Sequence, residues 1–327
     1  MTSRRLLWPA LVLVALLLLN LVITPSFFAL RLQDGHLFGS LVDILRNGAP
    51  TLLIALGMTL VIATRGIDLS VGAVAAIAGA VACTHIADGG GAVTGMALAL
   101  GVCAVLGLWN GFLVSVAGIQ PIIATLVLMI AGRGIAMLLT EGQIVTVDDG
   151  LYRKVGAGFV VLPIAILISL AVLAAVALVT RRTALGMLIE SVGVNPEASR
   201  LAGVRSRTII WTVYVFVALC AGVAGLMISS NVSAADANNA GLWIELDAIL
   251  AVVIGGTSLA GGRYSLTGTL LGALIIQTLT TTVYTIGVPP EVTLVFKAVV
   301  VIVVCLLQAP RLAPVPRRRT VEEVAVR

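Results

Sequence analysis

Acids, histidines and cysteines are the residues that could do chemistry in this chain, and they are sparse. Among 327 residues there are 15 Asp and Glu, two His and four Cys. His36 and His85 are far apart in sequence, which argues against a histidine-rich metal centre. Cys83, Cys103, Cys220 and Cys305 all sit in apolar runs and form no CxxC pair. They read as small packing residues, neither a disulfide framework nor a metal site. No HExxH or GxSxG motif is present, and Asp148-Asp149 has no second acidic pair to work with. Residues 256–263 resemble a phosphate loop only superficially, because the Gly-Lys-Ser/Thr ending is missing. Asp43 and Asp68 could relay protons, but they lie near the ends of apolar runs and form no intramembrane series. No catalytic residue, metal or cofactor is expected on this chain. Nucleotide-driven work would fall to another polypeptide.

One polar stretch carries a short helix with both ends marked. Asn195 is a strong N-cap and Pro196 fits the first helical position, where its missing N–H costs nothing. Glu197 sits favourably in the first turn, and Gly203 can take the left-handed conformation that closes a helix. Two turns are too few to stand alone in water. Ala198, Leu201 and Ala202 share one apolar face, with Glu197 and Arg200 beside it. Two readings remain open: a connector packed on its own domain, or a peg for a separate subunit.

The rest of the chain must hold such a peg in a bilayer. Hydrophobic residues make up 60% and charged residues 11%, against about 25% charged in soluble domains. This excludes disorder and any stripe of charge that could track nucleic acid. Runs of roughly 20 apolar residues read as spanning helices. Candidates lie near 6–23, 41–64, 68–86, 92–117, 119–140, 159–180, 208–230, 246–262, 266–287 and 290–308. The expected fold class is all-α, a polytopic membrane protein of about ten transmembrane helices. The third and eighth are the weakest as full spans. The first is read as a retained helix, because its apolar run exceeds a signal peptide's and no clear cleavage site follows.

With the N-terminus in the cytoplasm, fourteen of the 20 Lys and Arg residues fall on the cytoplasmic side and three in outside loops. That asymmetry fits the positive-inside rule and places both termini in the cytoplasm. Arg46, Arg133 and Lys297 lie within or at the ends of spans. The transmembrane domain covers 1–310, with a cytoplasmic loop over 183–207 and a basic tail over 311–327. The third and eighth segments each put an acid before small residues and internal glycines. They occupy equivalent positions if the chain is a 5+5 inverted pseudo-repeat, a pattern that marks transport pathways. Asp68, Gly72, Asp247, Gly255 and Gly256 are therefore candidates for a pathway or gate. The competing role for Asp68 is an N-cap.

Residues 57–72, 120–126, 131–134 and 245–262, taken together, resemble the signature of permease subunits of ribose-type ABC sugar importers. Residues 33–40, 142–146 and 235–243 look like the galactofuranose branch of that family. One departure is Arg65, where the family usually has glycine. Residues 197–203 are similar to the family's E-A-A-x-x-x-G coupling motif, with Ser199 replacing the second alanine. The resemblance implies that Asn195, Glu197, Ala198, Leu201 and Gly203 couple the chain to an ATPase subunit with two nucleotide-binding domains, where ATP and Mg would bind. It also implies a second permease or a second copy, an extracytoplasmic sugar-binding protein and a bacterial inner-membrane location. Asp236, Trp243 and Glu245, in a loop expected outside, are the candidates for docking that binding protein. The expected function is the pathway subunit for a galactofuranose-like monosaccharide. The alternative is a stand-alone ion-coupled secondary sugar transporter.

Overall fold

The computed structural model describes residues 3–33, 35–287, 289, 292, 294–299 and 302. The expected tenth span, 290–308, falls mostly outside the described residues, and the basic tail 311–327 wholly so. The helices are α1 (Ser3–Ile23), α2 (Ser40–Ala63), α3 (Val71–Ala87), α4 (Ala92–Ser115), α5 (Pro121–Leu139), α6 (Gly150–Ala157), α7 (Ile164–Arg182), α8 (Leu185–Val194), α9 (Pro196–Leu201), α10 (Ser206–Val232), α11 (Ile244–Ile254) and α12 (Leu266–Thr285). Two small antiparallel pairs, β1 (Arg31–Gln33) with β2 (His36–Phe38) and β3 (Val145–Thr146) with β4 (Ala234–Ala235), cover one end of the bundle.

Local sequence explains the helix starts. Pro121 opens α5 at its first turn, the Asp149 side chain accepts two amides at the start of α6, and Ser265 accepts the Gly268 amide at the start of α12. Seven described helices are long and apolar enough to cross a membrane by length and composition: α1, α2, α4, α5, α7, α10 and α12. At 17 residues α3 is about 25 Å long, short of the roughly 30 Å hydrocarbon core. The expected 246–262 span is corrected more sharply. Its helix ends at Ile254 after 11 residues, because Gly255 and the left-handed Gly256 break it. The chain then runs as irregular backbone to Ser265.

Helices α2 and α10 form the centre, and glycines let the backbones touch. A Cβ on Gly57 would lie 2.7 Å from Val217, and one on Gly107 would lie 2.8 Å from Ala218. Gly225 packs on the Ala75 carbonyl and Gly272 on the Ala251 carbonyl. In lipid, where no hydrophobic drive pushes helices together, close approach of small residues supplies much of the packing attraction. The packing also repeats after a shift of five spans. Helix α2 against α12 matches α10 against α4, and α2 against α11 matches α10 against α3. Likewise α3 against α4 matches α11 against α12, while α3 against α5 matches the link from α11 to residue 297. Helices α1 and α7 do not follow the pattern.

Arg65, the end of α7, α8, α9, the start of α10 and residues 256–264 share one end of the bundle. Arg181, Arg182, Arg200, Arg205, Arg207 and Arg263 are all there. The opposite end carries the β pairs and Asp88, Glu141, Asp148 and Asp149. Gly225→Val should force α10 away from α3, an overpacking cost of typically 1–3 kcal/mol or more where backbone must move. Thermal unfolding in detergent should show it as a lowered midpoint. Gly101→Val, at a position with open space around it, should leave the midpoint close to wild type.

Candidate functional site

The marked short helix forms where its caps place it. Asn195 Oδ1 accepts the backbone N–H groups of Glu197 (3.1 Å) and Ala198 (3.0 Å). Gly203 has a φ of +86° and closes the turn. Ser199 is the buried residue and faces the bundle, while the Ser206 hydroxyl donates to the Pro196 carbonyl at 2.9 Å. Ala198, Leu201 and Ala202 point away, and Leu201 is 79% exposed. The apolar face is therefore unpartnered and presented outward from the basic end. Arg200 donates to Glu197 across one turn, and this hydrogen bond holds the Glu197 carboxyl below the usual glutamate range.

Directly beneath α9 lies a junction of three chain segments held by Arg65. Its Nε donates to the Ala260 carbonyl at 3.0 Å and its Nη2 to the Val194 carbonyl at 2.6 Å. Val194 is the residue before the Asn195 cap. The Gly262 amide donates to the Ala63 carbonyl at 2.9 Å, and Gly193 packs on that same carbonyl. Arg65 has a φ of +64°, a left-handed conformation that costs a non-glycine residue about 1–2 kcal/mol. Glycine would take this backbone without cost, but it could not make the two side-chain bonds.

Asp68 is buried, 1% exposed, and it is not the N-cap of α3. Ser70 holds that position, without a side-chain capping bond. The Asp68 carboxylate instead accepts the Ser70 amide (2.8 Å) and hydroxyl (2.6 Å), and Asn110 donates to that hydroxyl at 2.9 Å. Thr125 of α5 accepts the Leu69 amide at 3.1 Å. The turn between α2 and α3 is thus tied to α4 through Asn110 and to α5 through Thr125.

The stretch from 236 to 245 starts at the outer end, directly after β4, but does not stay there as an outside loop. After α10 ends, the chain turns back into the bundle and descends alongside α3. Ala237 packs with Ala76, Ile77, Ala80 and Ala136, and Gly241 lies against Gly72. Arg133 of α5 donates from Nη1 to the Ala237 (3.0 Å) and Ala240 (2.7 Å) carbonyls, holding the descending segment. Helix α5 fixes the depth. Its Thr125 is level with Leu69 and its Gly132 with Ala73, so Gly72 lies beside the middle of this apolar span. Glu245, 7% exposed, packs on Gly72 at that depth. It sits with the pathway candidates, and its burial removes it from any outer docking surface. Trp243 is half-exposed, has a φ of +64° and starts α11. One turn on, Asp247 receives Lys297 Nζ at 2.7 and 2.9 Å. Gly255 and Gly256 lie at the far end of α11, where Gly255 packs on Gly268.

Gly72 and Glu245 therefore meet, while Asp68 and Asp247 belong to separate networks. Arg133, and the bridging role of Arg65, are the structural features that the candidate site residues did not include. An arginine in the middle of an apolar run was the available signal for Arg133. No cluster of three His, Cys, Asp or Glu that could hold a metal exists among the described residues.

Residues 40–305 match the family described as the branched-chain amino acid transport system / permease component. The chain is 51% identical to the galactofuranose transporter permease protein of Escherichia coli K12, over 94% of this chain and 92% of the relative. It is 42% identical to the fructose import permease protein of Bifidobacterium longum, over 95% of this chain and 89% of the relative. Identity to the ribose import permease protein of Escherichia coli K12 is 37%, over 90% and 92% of the two chains. No solved structure matches the chain.

Removing the cap should loosen α9 alone. Asn195→Ala leaves two amides unpaired, a loss of about 0.5–2 kcal/mol. Amide exchange at 197–201 should speed up while α2 and α10 keep their protection. Glu197 contributes to α9 while ionised. That contribution is present above the ordinary glutamate range and lost as pH falls through its lowered value, so exchange in α9 should also rise under acid.

Proposed function

The chain belongs to the permease-component family just described, it is a multi-pass membrane subunit of an ABC importer, and from that premise we propose that it forms the translocation pathway for a monosaccharide. The named relatives transport or import galactofuranose, fructose and ribose, and the highest of these identities points to a galactofuranose-like sugar. ATP hydrolysis belongs to a separate ATPase subunit with two nucleotide-binding domains, where ATP and Mg bind. An extracytoplasmic binding protein delivers the sugar, and a second permease, or a second copy of this one, completes the pathway. The basic end faces the cytoplasm of a bacterial cell, because arginines concentrate there and acids at the other end.

The observation that carries this reading is the outward apolar face of α9 on the basic end. Helix α9 is docked on its own bundle through Ser199, yet it still presents Ala198, Leu201 and Ala202 to solvent as a face that a partner surface can bury. A groove on the ATPase is the proposed occupant, which makes α9 the coupling helix. The Arg65 junction then supplies the mechanical path. Displacement of Val194 is passed through one guanidinium to Ala260, and through the Gly262 to Ala63 hydrogen bond to the end of α2. A rigid strut of this kind transmits motion that a flexible glycine turn would absorb. An ion-coupled carrier would need a series of titratable groups, yet Asp247 is already paired with Lys297, Asp68 is held by Ser70, and Glu245 is a single carboxyl at the depth of Gly72.

Leu201→Glu should leave the permease inserted in the membrane while co-purification of the ATPase is lost. Gly203→Val should do the same through a misplaced helix end, since β-branched residues tolerate positive φ poorly. Arg65→Gly relieves the backbone while removing the strut. The ATPase should still co-purify, and sugar transported per ATP hydrolysed should fall. Equal coupling in Arg65→Gly and wild type would show that the junction transmits nothing. For orientation, a cysteine at Asp148 should react with an impermeant reagent outside intact cells, and one at Arg205 should not.

A further inference from the structure

The re-entrant stretch between α10 and α11 raises a physical difficulty that points to a ligand. It descends from the level of Ala136, one turn from the outer end of α5, to the level of Gly72 beside the middle of α5, yet it is irregular backbone with polar side chains on an open face. Asn238 and Asn239 are exposed, as are Leu242 and Trp243. The Asp236 carboxylate accepts the amides of Asn238 (3.0 Å) and Asn239 (3.2 Å) and the Asn239 side chain (2.8 Å). Irregular backbone at bilayer depth is tolerated only when buried in protein or lining water. Amide side chains facing hydrocarbon would each cost several kcal/mol in lost hydrogen bonds. This face therefore cannot look onto lipid.

Its chemistry is that of a carbohydrate wall. An indole offers a flat apolar surface for the C–H face of a sugar ring. The Asn238 and Asn239 amides beside it offer donors and acceptors for hydroxyls. The segment is also held as a preformed surface. Arg133 fixes two of its carbonyls, and Glu245 and Gly72 support it from behind. Trp243 sits in a left-handed backbone, the kind of local strain that surrounding structure must hold in place.

We propose that Asn238 and Asn239, towards the outer end, and Trp243, at mid-membrane, line the aqueous pathway and contact the transported monosaccharide, with Trp243 stacking on the ring and the two asparagines hydrogen-bonding its hydroxyls. This rests on the sugar-permease reading above.

The test uses the whole importer in lipid vesicles with its ATPase and binding protein, and a permease without native cysteines. Asn238→Cys and Asn239→Cys should react with a membrane-impermeant methanethiosulfonate. Ile130→Cys, exposed at the middle of α5, should react only with a lipid-soluble maleimide. D-galactofuranose, D-fructose and D-ribose are supplied in turn, and the sugar that is taken up should slow labelling at 238 and 239. Trp243→Ala should raise the KM for uptake about two- to tenfold, as expected for loss of an aromatic contact, with Trp243→Phe largely restoring it. Reaction of 238 and 239 only with the lipid-soluble reagent would overturn the proposal. So would cross-linking of position 239 to another permease copy without sugar protection, since the face would then be an interface. Aqueous labelling with no sugar protection and an unchanged KM in Trp243→Ala would overturn the sugar contact. Failure of wild type to take up any of the three sugars would count against the sugar-permease reading instead, while the aqueous labelling pattern is read independently of uptake.

Discussion

Backbone that leaves the helical ladder inside a membrane protein must find its hydrogen-bond partners in protein or in enclosed water. This constraint organises the structure. The chain breaks its helices at 64–70, 236–243 and 255–264, and side chains from elsewhere attend to each break. Ser70, Asn110 and Thr125 surround the first. Arg133 reaches from α5 to the second. Arg65 and the Gly262 amide tie the third to the first. The cations within the bundle follow the same rule: Arg46 finds Asn231 and Gly156, and Lys297 finds Asp247.

Two of these breaks lie under the short helix α9 at the basic end, and the remaining one descends from the opposite end to the middle of the span. A permease that does no bond chemistry needs this division. In the proposed coupling, motion enters at α9, crosses the Arg65 junction, and reaches α2 and the segment that follows α11. Helix α11 begins at the re-entrant face, so a shift at its far end reaches the wall of the pathway through 11 residues of helix. Glycine contacts such as Gly255 on Gly268 and Gly272 on Ala251 keep α11 and α12 close enough to move together.

Much of this was legible in sequence because the signals were local. Asn195, Pro196 and Gly203 mark both ends of α9 within nine residues, and the apolar runs mark most spans. Glycine pairs inside 246–262 flagged that segment as weak, and the structure breaks it there. Two features were not legible, because they depend on contacts between distant residues. Counting alternate crossings put 236–245 outside, since periodicity records helices and not the direction of irregular chain between them. Asp68 looked like an N-cap because it stands just before a helix, but Ser70 takes the cap and the carboxylate turns to it. Arg65 stood out only as a residue where glycine is usual. Its positive φ explains the usual glycine, and its two carbonyl partners explain the arginine.

The central claim is that this chain moves sugar by force received from a separate ATPase. Vesicles containing the permease, its ATPase and its partner permease, with binding protein and labelled D-galactofuranose outside, separate that claim from ion coupling. The account predicts uptake when Mg-ATP is present at the ATPase face, with no effect of dissipating proton or sodium gradients. Uptake by the permease alone, driven by an ion gradient without ATP, would contradict it.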